Sequence, residues 1–235
     1  MPLPQPAFLD FLRLVAKGDT DKVSRRLAAS PALATMASAE GATRHQESAF
    51  FFAEISHHVY AGDTALHIAA AAFRRPVAEL LVAHGADCRA KNRRGAEPLH
   101  YAADANHWNP IEQAAAIAYL ISIGADPNAL NRDGVAPLHR AVRTRSLAAV
   151  EALVDGGANP RQPNRNGSTP LHLAVQNTGR GGSGSPEARE QQVGIVRFLI
   201  ERGARPSDRD GKGRHTQQAA TSEWMRLLLR EVAAR

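Results

Sequence analysis

The feature that most constrains this 235-residue chain is a nine-residue segment that occurs four times with the same glycine and histidine. The copies start at Gly62, Gly95, Gly134 and Gly167 and read GDTALHIAA, GAEPLHYAA, GVAPLHRAV and GSTPLHLAV; a degenerate fifth copy runs from Gly213 to Ala220. Such self-similarity is typical of repeat arrays, in which each unit buries its apolar face against its neighbours. We therefore expect stacked short repeats instead of one central core.

Each copy predicts the start of a short helix, which we call helix A. Thr64, Thr169 or a substitute caps the helix N-terminus, and proline follows at the first helical position, where a missing N–H costs little. A second apolar stretch at helical spacing, such as residues 150–154, predicts a helix B that stops at a glycine. The turn-rich residues that follow, such as 87–94, form a connection that we call a finger.

This pattern resembles the ankyrin repeat, whose marks are T-P-L-H-x-A, G-A-D and a period of 33 residues. The second mark follows each helix B, as Gly85-Ala86-Asp87, Gly124-Ala125-Asp126-Pro127, Gly157-Ala158-Asn159-Pro160 and Gly203-Ala204-Arg205-Pro206. The resemblance covers roughly residues 8–235. It implies an all-α solenoid of helix-turn-helix units joined by β-hairpin fingers, in a bacterial-type array that binds other proteins.

We expect residues 1–235 to form a single ankyrin-repeat domain. Residues 7–34 are the N-terminal capping repeat, which lacks T-P-L-H, and residues 35–61 are an oversized finger. Four T-P-L-H-type repeats occupy residues 62–212, and residues 213–235 form the C-terminal capping repeat.

Two insertions interrupt the repeat period. The signature glycines are 33, 39, 33 and 46 residues apart, so the second and fourth intervals carry about 6 and 13 extra residues. The first insertion lies around residues 106–110 and the second is the Gly-rich segment 177–186, both between helix A and helix B. Insertions at that place predict a second wall opposite the fingers, which would turn an open slot into a small-ligand pocket.

Arginine occupies the same place in three fingers, two residues before the signature glycine, at Arg93, Arg132 and Arg165. Arg94 and Lys91 lie beside the first of them. Stacked fingers align these positions, which predicts a basic stripe that binds anions. The alternative is an ordinary solvated surface in a chain with 25 Arg and 4 Lys, a bias typical of GC-rich genomes.

The floor and far wall of the expected groove add further candidates. Tyr101, Arg140 and Arg143 occupy variable positions of helix A, and Trp108 lies in the first insertion. Tyr60 belongs to an aromatic cluster with the triplet Phe50–Phe52, which together hold 4 of the 12 aromatic residues. We expect the triplet to be buried against the first repeats, and Tyr60, Tyr101 and Trp108 to face the partner.

The Gly-rich insertion leaves two interpretations open. Residues 179–184 fit G-x-G-x-x-G, but they follow a helix and no βαβ unit surrounds them, which excludes a dinucleotide fold. The segment is either a flexible linker or an anion-binding loop, in which Arg180 and Ser183 sit beside a helix start at Ser185-Pro186.

Other signals point away from several functions. The net charge of +6 is spread without basic runs, so nucleic acid is not an expected partner. No leader or apolar span of membrane length appears, and we expect a cytoplasmic chain without membrane contact. The single Cys88 excludes an intramolecular disulfide and is expected to be buried filler.

Catalytic and metal-binding patterns are sparse. Four histidines belong to the repeat signature (His67, His100, His139 and His172), and the family resemblance implies that they bridge neighbouring units. Glu54 and His57 have the Glu-x-x-His spacing of a metal helix, but in one copy only, so we expect neither metal nor cofactor. No catalytic residue is assigned.

We therefore expect a monomeric binding module that recognises an acidic protein or peptide through its concave basic groove. The alternative is a small anionic metabolite, bound or turned over by hydrolase- or lyase-like chemistry between the long finger and the Gly-rich loop.

Overall fold

A computed structural model describes residues 5–43, 48–104, 109–176 and 185–233. The chain divides into two compact units, Met1–Asp126 and Pro127–Arg235, and the expectation of a single domain stays a prediction. Within the described residues, no helix has both the length and the apolar character needed to span a bilayer.

The first unit consists of three helical hairpins. Its helices are α1 (Gln5–Lys17), α2 (Thr20–Ala29), α3 (Ala65–Ala71), α4 (Arg75–Ala83), α5 (Pro98–Ala102) and α6 (Pro110–Ser122). The A helices α1, α3 and α5 pack against one another, and the B helices α2, α4 and α6 form a second layer behind them. Leu12, Leu27, Leu66, Leu81 and Leu99 are buried between the layers.

The second unit repeats this arrangement. Its helices are α7 (Pro137–Thr144), α8 (Leu147–Asp155), α9 (Pro170–Ala174), α10 (Pro186–Glu201), α11 (Thr216–Ala219) and α12 (Glu223–Ala233). Helix α9 packs between α7 and α11, and α8 packs against α10. Leu138, Leu153, Leu171 and Leu199 are buried at these contacts. The expected all-α architecture is confirmed.

Three of the signature histidines join their own repeat to the finger of the next. In His67, Nδ1 accepts the backbone N–H of Thr64 at 3.1 Å, so the ring proton is on Nε2, which donates to the carbonyl of Ala96 at 3.0 Å. His139 and His172 make the corresponding bonds to the carbonyls of Gln162 and Arg214, at 2.9 and 3.1 Å. The bridging role of these three histidines is confirmed.

The signature glycines let neighbouring fingers approach closely. Gly62 has a φ of 86°, and a Cβ atom at this position would lie 2.7 Å from the Cα of Asn92. The backbone N–H of Arg93 donates to the carbonyl of Ala61 at 2.8 Å across the same contact. Only glycine satisfies both the left-handed backbone and the close approach.

The oversized finger packs on the first repeats through a short hairpin. Strands β1 (Phe51–Phe52) and β2 (His57–His58) pair antiparallel, with Phe51 opposite His58, and 3-10 turns at Pro31–Ala34, Ser48–Phe50 and Ala53–Ile55 flank or join them. Phe50 and Phe52 are buried, as expected, but Phe51 is 41% exposed. The expectation is wrong for Phe51 because successive side chains of a strand point to opposite faces.

Both insertions lie between helix A and helix B, as expected, and each ends in a longer helix B. Helices α6 and α10 have 13 and 16 residues, whereas α4 and α8 have nine each. The predicted helix start at Ser185-Pro186 is confirmed, because Ser185 Oγ accepts the backbone N–H of Ala188 at 3.1 Å. Asn109 caps α6 in the same way.

Candidate functional site

Tyr60 lies beside two arginines at the tip of the first unit. The guanidinium carbons of Arg93 and Arg94 are 5.5 and 5.1 Å from the centroid of its ring. Tyr60 is half-buried, whereas both arginines are exposed, and the Arg93 guanidinium also donates to the carbonyl of Ala42. The structure thus brings together three of the predicted site residues in a cation–π cluster.

Two buried polar side chains hold this cluster in place. Asn92 Oδ1 accepts the backbone N–H groups of Arg94 and Ala96, at 2.9 and 3.0 Å, which fixes the finger tip. Asn92 Nδ2 donates to Asp63 at 2.8 Å, and the other oxygen of Asp63 accepts the backbone N–H of Tyr60 at 2.7 Å. Asp63 and Asn92 therefore set the spacing between the ring and the guanidinium groups.

Sequence reasoning missed these supports, although one signal was available. An Asn or Asp stands three residues before four of the signature glycines, at Asn92, Asn131, Asn164 and Asp210. Each accepts two backbone N–H groups of its own finger. Burial opposes ionisation of Asp210, but hydrogen bonds from Arg214 and Lys212 outweigh it and lower its pKa from 3.8 to about 2.

Tyr101 does not face the solvent, and the prediction that it contacts a partner is wrong. Its side chain is 1% exposed, and its hydroxyl donates to the Asp63 carboxylate at 2.9 Å. The ring contacts the imidazoles of His57 and His67, with centroid distances of 4.6 and 5.1 Å. The buried carboxylate gives the tyrosine hydroxyl a partner inside the unit, so the ring packs as core.

The second unit carries its own basic positions. Arg132, Arg143 and Arg165 are exposed and Arg140 is half-buried. The Arg165 guanidinium donates to the carbonyl of Arg132, so these two finger positions are adjacent, as the repeat spacing predicts.

Several other arginines in this unit are neutralised. Arg161 forms a two-bond pair with Asp208, at 2.8 and 2.9 Å, and Arg214 does the same with Asp210. By contrast, among the described residues no ion pair includes Arg93, Arg132, Arg143 or Arg165. The positive charge of these four guanidinium groups is not compensated by a carboxylate of the described residues.

Glu97 occupies the position held by Thr64 and Thr169 in other repeats. Its side chain caps α5, is 5% exposed and lies 3.6 Å from the ammonium group of Lys91. Burial raises the pKa of Glu97 and outweighs the opposing effect of Lys91. Within the described residues its Oε2 has no hydrogen-bond partner. Glu97 is therefore a poorer helix cap than threonine, because it buries a carboxyl oxygen that makes no hydrogen bond within the described residues.

The sequence also predicts three further site residues and a buried Cys88. Trp108, Arg180 and Ser183 lie outside the described residues. Cys88 is half-buried, not fully buried as expected; its thiol lies 3.5 Å from the carbonyl of Ile123, and burial raises its pKa.

Glu54 and His57, which have the Glu-x-x-His spacing, each contact another residue of the first unit. Glu54 forms an ion pair with Lys17 at 3.8 Å, and the His57 ring packs on Tyr101. The described part of the chain contains no group of three or more His, Cys, Asp or Glu residues that could hold a metal ion.

Comparison with known families accounts for this repeat geometry. A family model described as ankyrin repeats, in three copies, matches residues 35–113 and 111–210, about three quarters of the chain. No match was found among curated proteins. The repeated histidine bridges, glycine contacts and helix pairs, together with this match, show that the chain belongs to the ankyrin-repeat family and has its all-α solenoid fold.

Proposed function

We propose that this chain is a binding module for an acidic protein or peptide segment. Ankyrin repeats generally mediate protein–protein binding. The observation that carries the finer proposal is the placement of Arg93 and Arg94 around the ring of Tyr60. A partner carboxylate placed at this ring lies within reach of two guanidinium groups, and each of them attracts it.

The chemistry of arginine supports a carboxylate ligand. Its planar guanidinium group donates two parallel hydrogen bonds to one carboxylate, which gives both strength and orientation. Arg93 is already held by its bond to Ala42, so less conformational entropy is lost on binding. Arg132, Arg143 and Arg165, which form no ion pair among the described residues, supply positive charge in the second unit, and half-buried Arg140 lies one turn from Arg143.

The proposal predicts strongly salt-dependent binding. We would measure fluorescence anisotropy of a labelled peptide of alternating glutamate and alanine, with alternating lysine and alanine as the reverse-charge control. The glutamate peptide should bind at low salt and lose affinity as the ionic strength rises, because surface charges are screened beyond about 8 Å at 0.15 M. Equal affinity at low and high salt would show the proposal to be wrong.

A double variant tests the site itself. Arg93→Gln with Arg94→Gln should weaken glutamate-peptide binding by about tenfold, which corresponds to about 1.4 kcal/mol. Arg25→Gln with Arg230→Gln removes the same charge from exposed positions outside the fingers and serves as the control. Equal losses in both double variants would assign the binding to net charge alone.

The metabolite alternative places the ligand between the long finger and the Gly-rich loop, and Arg180 and Ser183 of that loop lie outside the described residues. Thermal unfolding against a panel of phosphates, nucleotides, sugar acids and carboxylates separates this alternative from the acidic-segment proposal. A ligand at a hundred times its Kd adds about 2.7 kcal/mol to the free energy of unfolding. A clear shift for one compound class would favour the alternative and reopen the question of turnover.

A further inference from the structure

Two further rings of the oversized finger connect to Tyr60 by successive ring contacts. The Phe51 ring contacts the His58 ring across the hairpin, with 4.9 Å between centroids, and the His58 ring lies 6.4 Å from that of Tyr60. Arg94 follows at 5.1 Å from Tyr60. We call Phe51, His58 and Tyr60 the ring row; one of its ends is apolar and the other is cationic.

The ring row is accessible along its length. Phe51 is 41% exposed, His58 and Tyr60 are half-buried, and Arg94 is exposed. The apolar core beneath the finger is filled by other side chains, since Phe50, Phe52 and Ile55 are buried there. The Phe51 ring is thus left partly open to solvent beside the His58 ring.

We propose that the ring row binds an extended segment of a partner protein in which an apolar side chain lies close to an acidic one. The apolar side chain covers Phe51, and the carboxylate meets Arg93 and Arg94. This inference rests on the proposed function and adds to it a specificity for mixed apolar and acidic sequence.

Dimensions favour a polypeptide segment over a small anion. The successive separations along the row limit the apolar and acidic side chains to about five residues apart, at about 3.3 Å per residue of extended chain. A single carboxylate or phosphate would meet only the cationic end and would leave Phe51 exposed. A segment that spans the row removes the apolar ring from water and also places a carboxylate beside the guanidinium groups.

Selection from a random peptide library tests the inference without a known partner. Dodecamers displayed on phage are selected against the full chain at low salt, and enriched peptides are synthesised and measured by anisotropy. The expected consensus has Asp or Glu within about five residues of Leu, Ile, Phe, Tyr or Trp. Phe51→Ser should weaken these peptides about tenfold, as should Arg94→Gln.

Two control variants test whether the loss of any exposed apolar side chain or any exposed charge weakens peptide binding. Leu227→Ser removes an apolar side chain that is 55% exposed in the second unit, and Arg230→Gln removes an exposed charge there. Neither should change the affinity. Circular dichroism should show that Phe51→Ser is folded like the parent protein under the conditions of the binding assay, because the side chain is 41% exposed.

The outcomes separate the inference from the proposed function. Acidic peptides that lack an apolar residue and bind Phe51→Ser normally would overturn the inference and leave the proposed function intact. Enrichment without acidic residues, or no enrichment at all, would overturn both.

Discussion

The side-chain amide of Gln192 donates a hydrogen bond to the carbonyl oxygen of Ala174, the last residue of α9, at 2.6 Å. Gln113 does the same in the other repeat with an insertion, where its amide donates to the carbonyl of Ala102, the last residue of α5, at 2.9 Å. Both glutamines are buried, and each stands eleven residues before the glycine that follows helix B.

In the two repeats without insertions, a backbone group makes this bond. The N–H of Arg74 donates to Ala69 at 2.9 Å, and that of Ser146 donates to Ala141 at 3.2 Å. These residues precede helix B, so their N–H groups have no acceptor within that helix and donate to helix A. In the longer α6 the N–H of Gln113 bonds to Asn109 instead, and the side chain takes over the contact.

The first prediction is that loss of either glutamine amide destabilises the protein. Gln113→Leu or Gln192→Leu leaves a buried carbonyl without its donor, which costs about 1–3 kcal/mol of unfolding free energy. Urea denaturation measures this cost, with Gln217→Leu at an exposed position as the control. A cost below about 0.5 kcal/mol in both variants would contradict a structural role for the bond.

The second prediction concerns pH and His139. Burial lowers the pKa of His139 below its ordinary value of 6.5, because the folded state binds the imidazole in its neutral form. The unfolded chain then takes up a proton first, so the stability that this group contributes is present above pH 6.5 and is lost as the pH falls toward its folded pKa.

Urea unfolding at pH 7.5, 6.5 and 5.5 checks this sign, with His139→Asn as the comparison. The variant should be less stable than the parent protein at pH 7.5, and the gap should narrow at pH 5.5. If the difference in stability between the parent protein and His139→Asn grows on acidification, then folding raises the pKa of His139, and the prediction is wrong.

The third prediction is that Glu97→Thr stabilises the first unit. Threonine restores the cap found at Thr64 and Thr169, and it removes a buried carboxyl oxygen without a partner, for a gain of about 1 kcal/mol. Burial raises the pKa of Glu97 in the folded state, so this side chain lowers the free energy of unfolding only at pH values where its carboxyl is ionised.

The gain should therefore be larger at pH 7 than at pH 4 in chemical denaturation. Glu97→Gln is the matched control, since it keeps the size of the side chain and removes only the charge. If threonine destabilises the protein at pH 7 but not at pH 4, the ion pair with Lys91 outweighs the burial cost.

The fourth prediction concerns backbone strain at Ser56. This exposed residue has a φ of 47° at the end of the turn that joins β1 and β2. Ser56→Gly should raise the free energy of unfolding by up to about 1 kcal/mol, because glycine adopts a left-handed backbone without a steric penalty. Ser207→Gly, at an exposed position that is not left-handed, should be neutral or destabilising instead.

Local sequence patterns predicted most of the fold. The helix starts, the finger turns and the histidine bridges depend on residues a few positions apart in each repeat, and a repeated pattern gives several copies of the same evidence. The start of α10 at Pro186 was predictable for this reason, since a serine cap and a following proline are a local signal.

Contacts between repeats could not be predicted in this way. Tyr101 is buried because Asp63, 38 positions earlier, supplies a carboxylate that other repeats lack at that place. The cluster of Tyr60 with Arg93 and Arg94 likewise joins two fingers: each residue was a candidate, but only the fold shows their contact. Single sequence positions carry no information about such pairing.

The glutamine bonds also bear on how such arrays change length. Because a side-chain amide replaces the backbone N–H in this bond, α6 and α10 are longer than α4 and α8 and still donate to the same carbonyl of helix A. The segments between α5 and α6 and between α9 and α10 are therefore suitable places to graft foreign sequence. A reporter or a second recognition loop placed there would leave the neighbouring repeats in register.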